Sequence, residues 1–337
     1  MNVGIIGYGV VGKRRRKHID KHPELNTICV SDINFDGEGE FGDGVLFFKD
    51  YKKIFQKKLD IIFISLPNYL AASTTILGLE NNCHVFCEKP PSRTVEEMEE
   101  VVKCKKQHPN LKLKYGFNHR YHDSVIKARN FIDSGDLGDV VSFRGVYGKS
   151  NIIPFDSGWR AQKKYSGGGI LLDQGIHMLD LIRYFSSDYD QIYSIISNSY
   201  WKHDVEDNAF ILMKNKRNQV ASLHSTATQW QHRFRLEIIL QEGLLELSGI
   251  LSGSKSYGSE TLKIITKSNE INGSQKEKKY NFLQDNSWKD EIDEFVSCIK
   301  NNNKIKNGTP TDALNVMKMI NKIYRSDKDW WSYTSKI

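Results

Sequence analysis

The sequence predicts a two-domain α/β protein: a doubly wound parallel sheet, followed by an α+β domain built on a large, mostly antiparallel sheet. Three observations predict it. The chain opens on a short apolar run that meets a glycine-spaced turn, Val3-Gly4-Ile5-Ile6-Gly7-Tyr8-Gly9-Val10-Val11-Gly12. Strand-like and helix-like segments then alternate through the first third. After about Asn118 the pattern changes to successive segments with period-two alternation.

The opening run reads as a buried parallel strand, and the segment from Val10 to about Ile19 as the helix that follows it. Each glycine has a reason. Gly7 permits the tight turn, Gly9 lets a pyrophosphate approach the backbone, and Gly12 lets the helix pack close to the strand. A second apolar strand, Ile28-Cys29-Val30-Ser31, ends at Asp32, about twenty residues beyond the glycines. A carboxylate there accepts hydrogen bonds from adenosine ribose hydroxyls and repels a 2′-phosphate, which favours NAD over NADP. The plain alternative for Asp32 is a turn residue before Asn34. Together these features read as a Rossmann dinucleotide-binding domain over residues 1–118.

Further along, Ile61 to Ser65 reads as a strand and Ala71 to about Glu80 as a helix. His84 to Cys87 reads as a strand, Val95 to Lys106 as a helix and Leu113 to Phe117 as a strand. Residues 119–337 form the predicted second domain. A helix from about Asp123 to Ser134 precedes the strand Val140 to Val146, and a further helix surrounds His177. Period-two segments follow at Phe210 to Met213, Val220 to His224, Arg235 to Leu240 and Gly243 to Leu247. Gly253 to Gly258 and Ser268 to Lys279 read as loops. Helices at about Trp288 to Lys300 and Asp312 to Arg325 close the chain, with the C-terminal helix expected to pack back on the first domain. The aromatic tail Asp329-Trp330-Trp331-Ser332-Tyr333 is expected to dock on one of the domains.

Composition narrows the class. At 337 residues the chain can build two cores, and its 39% apolar content is that of a globular protein. No apolar run approaches a membrane span, and no charged leader with an apolar core opens the chain. The five cysteines form no CxxC pair. A reducing cytoplasm is therefore the expected compartment, with no membrane partner. The net charge of +7 and the block Lys13-Arg14-Arg15-Arg16-Lys17-His18 raise the question of nucleic acid. The block wraps around one helix instead of forming a stripe, so it reads as a solvated face, and no nucleic-acid partner is expected.

Two further clusters carry chemistry. Cys87-Glu88-Lys89-Pro90-Pro91 lies at the C-terminal end of a predicted parallel strand, the edge at which open α/β sheets bind ligands. A lysine held there can serve as acid or base; its plain alternative is an exposed turn lysine. The second cluster is Trp159-Arg160 followed by Gly167-Gly168-Gly169-Ile170-Leu171-Leu172-Asp173-Gln174-Gly175-Ile176-His177-Met178-Leu179-Asp180. If the segment from about Leu171 is α-helical, Asp173 and His177 share a face one turn apart, able to share a substrate hydroxyl. Gly175, costly inside a helix, suggests a close approach to its backbone. The plain alternative for His177 is a core histidine among its apolar neighbours. A metal on the Asp173/His177 pair lacks a third clustered ligand, so none is expected.

In this order the clusters resemble the Gfo/Idh/MocA oxidoreductases, the family of glucose-fructose oxidoreductase and inositol dehydrogenase. The resemblance runs through Gly7-x-Gly9-x-x-Gly12, Pro67-Asn68, His84-Val85-Phe86-Cys87-Glu88-Lys89-Pro90, Asn118-His119-Arg120-Tyr121, Trp159-Arg160 and the glycine triplet through Asp180. It covers nearly the whole chain. It implies Lys89 and His177 as a catalytic pair assisted by Asp173, with either of the two as the proton acceptor. It assigns Gly7, Gly9, Val10, Val11, Gly12, Asp32, Leu66, Pro67, Asn68, Glu88, Lys89 and Asn118 to the cofactor, NAD in preference to NADP. Arg120, Tyr121, Trp159, Arg160, Asp173 and His177 are assigned to the substrate, with ion-paired scaffold as the alternative for Arg160. Leu66 and Ala71 stand where relatives often carry Thr and His, which bears on the finer cofactor contacts.

The implied reaction is hydride transfer between nicotinamide and a secondary hydroxyl or ketone of a sugar or cyclitol. A nucleotide sugar is preferred because Arg120 and Arg160 can hold a phosphate. The alternatives are an NAD-recycling glycoside hydrolase of the same fold and a non-catalytic dinucleotide sensor. A homodimer or homotetramer is expected, because an open antiparallel sheet must cover its apolar face.

Overall fold

The structure, a computed structural model, describes residues 1–152, 158–252, 257–268 and 273–334. It resolves into two compact units, Met1–Phe117 with Trp288–Met317, and Asn118–Ser287 with Lys318–Ile337.

In the first unit, β1 (Asn2–Ile6), α1 (Val10–Ile19), β2 (Asn26–Ser31), β3 (Glu38–Glu40), β4 (Leu46–Phe48), β5 (Ile61–Ile64), α2 (Asn68–Glu80), β6 (His84–Cys87), α3 (Val95–Gln107) and β7 (Leu113–Tyr115) follow in order. The strands form one seven-stranded sheet ordered β3-β4-β2-β1-β5-β6-β7, parallel except for the β3–β4 pair. Strands buried on both faces need continuous apolar runs, and Ile61-Ile62-Phe63-Ile64 supplies one in which every residue is buried. Val3, Ile5, Val30, Phe63 and Phe86 share a core with Phe295 of the returning C-terminal segment. Each such side chain, fully buried, contributes about 1.5–3 kcal/mol. The order reverses between β1 and β5, and such a switch point is where doubly wound sheets bind ligands.

In the second unit, α4 (Asp123–Ser134), β8 (Val140–Ser150), α5 (Lys163–Ser166), α6 (Ile176–Phe185), β9 (Gln191–Ser197), β10 (Asn208–Lys214), β11 (Val220–Gln229), β12 (Arg233–Leu240), β13 (Gly243–Ser248), β14 (Glu260–Lys267) and β15 (Gln275–Phe282) precede the helices α7 (Ser287–Lys300), α8 (Pro310–Ser326) and α9 (Lys328–Thr334). The eight-stranded sheet is ordered β15-β14-β13-β12-β8-β11-β10-β9 and is antiparallel except where β8 meets β11. Inward residues such as Ala209, Ile211 and Met213 are buried, while Phe210 and Leu212 between them face outward. Met178 of α6 lies against Gly145 of β8, where an added Cβ would come within 3.1 Å of it. Trp330 of the aromatic tail is buried within α9.

The structure corrects three sequence readings. Ser268 to Lys279 is not a loop throughout, because its last part belongs to β15; residues 253–256 and 269–272 lie outside the described residues. The turn Leu171–Gly175 is π-helical, not α-helical. The basic block on α1 is not wholly solvated, because Arg15 is completely buried.

Candidate active site

Because β1, β2, β5 and β6 run parallel, their C-terminal ends fall on one edge of the sheet. The topology thereby gathers the glycine turn after β1, Asp32 after β2, Leu66-Pro67-Asn68 after β5 and Glu88-Lys89 after β6. Gly7 has φ +88°, and a Cβ on it would lie 2.3 Å from the carbonyl oxygen of Ser65, so both backbone conformation and space require glycine. A Cβ on Gly12 would lie 2.0 Å from the Gly7 carbonyl oxygen. Gly9 differs, since nothing stands within 4 Å of the position its Cβ would take. Open space lies over the N-terminus of α1, where no side chain caps the helix and Val10 is 78% exposed. The first amides of a helix have no acceptor within it, and a dinucleotide pyrophosphate suits such a cradle.

Asp32 is tied into the same turn. Its Oδ2 accepts the amide of Tyr8 at 2.8 Å, and Oδ1 accepts the backbone and side-chain N–H groups of Asn34 at 3.0 and 2.8 Å. The carboxylate is thus fixed beside the glycines. Pro67 is the N-cap residue of α2, and Asn68 at its first turn is buried. Lys89 is half-buried and follows Glu88, whose carboxylate is held by Arg15 at 2.5 Å.

In the second unit, the short 3₁₀ turn Asn118–Tyr121 packs on the start of α6. His119 stacks on His177, with ring centroids 3.8 Å apart and planes 11° from parallel. Asn118 Oδ1 lies 3.1 Å from His119 Nδ1, and Tyr147 Oη lies 3.1 Å from His119 Nε2. Burial pushes the Tyr147 hydroxyl well above its ordinary range, with neighbouring Tyr257 and the negative charge of Asp173 acting in the same direction. Tyr257 donates to Gln174 at 3.1 Å. His177, Asp173 and Gln174 therefore stand against a wall of His119, Tyr147 and Tyr257. Sequence reasoning missed that wall; only the Asn118-His119-Arg120-Tyr121 run signalled part of it.

The local sequence explains the shape of this turn. A Cβ on Gly169 would come within 2.0 Å of the Glu206 carbonyl oxygen, and Glu206 accepts the amides of Gly169 and Leu171 at 2.8 and 2.9 Å and the hydroxyl of Tyr324 at 2.8 Å. Burial raises this carboxyl, and those hydrogen bonds oppose the rise. A Cβ on Gly175 would lie 2.7 Å from Ser225 Oγ, the close approach that a mid-helix glycine signals. The π turn changes the α-helical register on which the Asp173/His177 spacing was read, and such turns recur at functional sites.

The remaining candidates are placed as follows. Arg120 is buried, donating from Nε and Nη2 to Asp180 at 2.8 and 2.6 Å, with Tyr184 beneath its guanidinium. Tyr121 is buried. Trp159 is half-buried and carries the exposed Arg160 guanidinium 4.3 Å from its ring centre. Among the described residues no three His, Cys, Asp or Glu side chains gather as metal ligands, and no helix is long and apolar enough to cross a membrane.

Residues 1–117 match the family described as "Oxidoreductase family, NAD-binding Rossmann fold", and residues 125–246 match the "GFO/IDH/MocA C-terminal domain". Over 223 residues the chain is 28% identical to levoglucosan dehydrogenase of Pseudarthrobacter phenanthrenivorans, covering 58% of this chain and 54% of that protein. Over 209 residues it is 27% identical to D-glucoside 3-dehydrogenase of Escherichia coli, covering 60% and 58%. These matches thus span little more than half the length of either relative. A solved levoglucosan dehydrogenase in complex with NADH superimposes with a TM-score of 0.83 at 20% identity, covering 98% of this chain and 97% of that one. Myo-inositol 2-dehydrogenase from Lactobacillus plantarum gives 0.77 at 22%, covering 97% of each. At such identities these structures establish the fold.

Proposed function

The chain belongs to the Gfo/Idh/MocA oxidoreductases, and from that membership we propose that it is an NAD-dependent dehydrogenase or reductase acting on a secondary hydroxyl, or the matching ketone, of a sugar or cyclitol. One observation carries the reading: a single sheet edge brings the glycine turn, Asp32, Asn68 and the Glu88-Lys89 pair together, beside open space at the N-terminus of α1. The relatives' names, which speak of levoglucosan, D-glucosides and inositol, support the substrate class. With Arg120 engaged by Asp180, one of the two cations favouring a nucleotide sugar is already occupied, so unphosphorylated sugars and cyclitols are better supported.

The amides after Gly9 hold the pyrophosphate, Asp32 accepts the adenosine ribose hydroxyls, and Leu66, Pro67, Asn68, Glu88 and Asn118 line the remainder. When bound, nicotinamide supplies the acceptor for the substrate's hydride. Lys89 and His177 move the hydroxyl proton and steady the developing charge on oxygen, and Asp173 orients the hydroxyl. Trp159 and Arg160 contribute to sugar binding. The pairing of Lys89 with His177 rests on the family membership.

The outward face of β9 and β10 supports self-association. Tyr193, Ile195, Phe210 and Leu212 stand in cross-strand register there, with Ile195 72% exposed. A homodimer is the proposed state, measurable by light scattering.

The test is NADH formation by the wild-type protein on levoglucosan, methyl glucosides, myo-inositol and UDP-glucose. Net NADH from at least one compound supports the reading. Cofactor retained through gel filtration, with glycoside cleavage and no net NADH, would assign the protein to hydrolysis by recycled NAD.

A further inference from the structure

Arg15 is the completely buried member of the basic block on α1. Its guanidinium packs against two aromatic rings and reaches two carboxylates. The Phe86 ring lies 4.4 Å from its centre and the Trp288 ring 4.2 Å, and in its plane Nε donates to Glu88 at 2.5 Å while Nη2 donates to Glu291 at 2.7 Å. Burial works against the charge, but Glu88 and then Glu291 hold the guanidinium above its ordinary range. We propose that Arg15, anchored by Glu291, is a positioning residue that fixes the carboxylate of Glu88 and thereby the Glu88-Lys89 turn. The proposal rests on the reading of Lys89 as an acid/base group and deepens it.

Three observations favour positioning over simple bracing. First, a buried charge cluster is a poor way to gain stability, since apolar side chains of similar volume do as well or better. This one is not even saturated: Arg15 Nη1 and Glu291 Oε1 have no hydrogen-bond partner among the described residues. Second, the cluster is asymmetric. Glu291 is fully buried, whereas the Glu88 side chain is 14% exposed, so the network reaches the surface at the residue preceding Lys89. Third, space is reserved for that carboxylate. A Cβ on Gly116 would lie 2.7 Å from Glu88 Oε2 and 3.3 Å from Arg15 Nη2.

The test compares Arg15→Lys, Glu88→Gln, their double variant and Gly116→Ala with wild type, using Lys89→Ala as control and the most active sugar of the panel as substrate. NADH binding is read separately by energy transfer from tryptophan, and folding by thermal melting. Lysine keeps the charge but cannot fork between two carboxylates. Gly116→Ala keeps every charge and displaces the carboxylate, so it probes the same geometry if Arg15→Lys does not fold. Arg15→Lys and Gly116→Ala are each expected to lower kcat about tenfold or more, a misplacement of about 1 Å being able to cost about a hundredfold, with sugar KM within about threefold and NADH Kd raised no further than in Glu88→Gln. The double variant is expected to be no slower than its slower parent, because Arg15 acts through Glu88. Wild-type kcat in Arg15→Lys or Gly116→Ala, or multiplying losses in the double variant, overturns the proposal if Lys89→Ala is inactive. An active Lys89→Ala overturns instead the reading on which it rests.

Discussion

Arg120→Met decides between two roles for a residue that the family resemblance assigns to the substrate. In the structure its guanidinium and Asp180 form a buried, two-pronged pair at 2.8 and 2.6 Å. Methionine keeps much of the length and removes the charge, leaving a carboxylate buried without its cation. Such a loss costs about 3–5 kcal/mol. For a unit of this size each kcal/mol moves the melting temperature by about 2–4 °C, so melting should fall by roughly 6–20 °C. Circular dichroism melting at neutral pH reads this directly. Adding Asp180→Leu removes the stranded charge and should recover at least half of the loss, because the two substitutions share one interaction. Melting within about 2 °C of wild type, with sugar KM raised about tenfold, would mean that the pair adds little to stability and would return Arg120 to the substrate.

Three further outcomes are expected. Asp32→Ala should weaken NAD binding more than NADP binding in a fluorescence titration; equal weakening would make Asp32 only the tether of Tyr8 and Asn34. Gly175→Ala should lower turnover and destabilise the fold by about 1–2 kcal/mol in urea unfolding, since overpacking against the buried Ser225 costs more than the helix gains from alanine; unchanged turnover and stability would mean that the π turn absorbs a methyl group freely. Glu291 is pushed up to about 7 by burial, against the opposing charges of Arg15 and Lys114. Its proton stays on the folded protein while the unfolded chain releases it near the ordinary carboxylate value, so stability should fall as pH rises from about 4.5 to 7. Glu291→Gln should flatten that dependence, and an unchanged slope would locate it elsewhere.

Much of this was legible in the sequence where local and tertiary preferences agree. Val10–Ile19, His84–Cys87 and Asp123–Ser134 fall where the apolar patterning and turn residues put them. β15, with Gln275-Lys276-Glu277-Lys278-Lys279 at its start, was hidden because an edge strand rich in lysine discourages pairing with other chains and shows no apolar alternation. β9 was hidden because its outward Tyr193 and Ile195 blur the usual polar face. The π turn packs against Glu206 and Ser225, and His177 against His119, all partners distant in sequence that carry no local signal. Arg15 illustrates the same limit. Its composition reads as solvated helix surface, and only the return of Trp288 and Glu291 to the first unit buries it.

Lys89 and His177 are the proposed acid/base pair of one oxidoreduction. The most direct measurement is turnover of the best sugar by wild type, Lys89→Ala and His177→Ala, with NADH affinity measured on the same preparations. Each variant should lose about a hundredfold or more in kcat while binding NADH within a few-fold of wild type. Undiminished turnover in either variant would remove that residue from the chemistry.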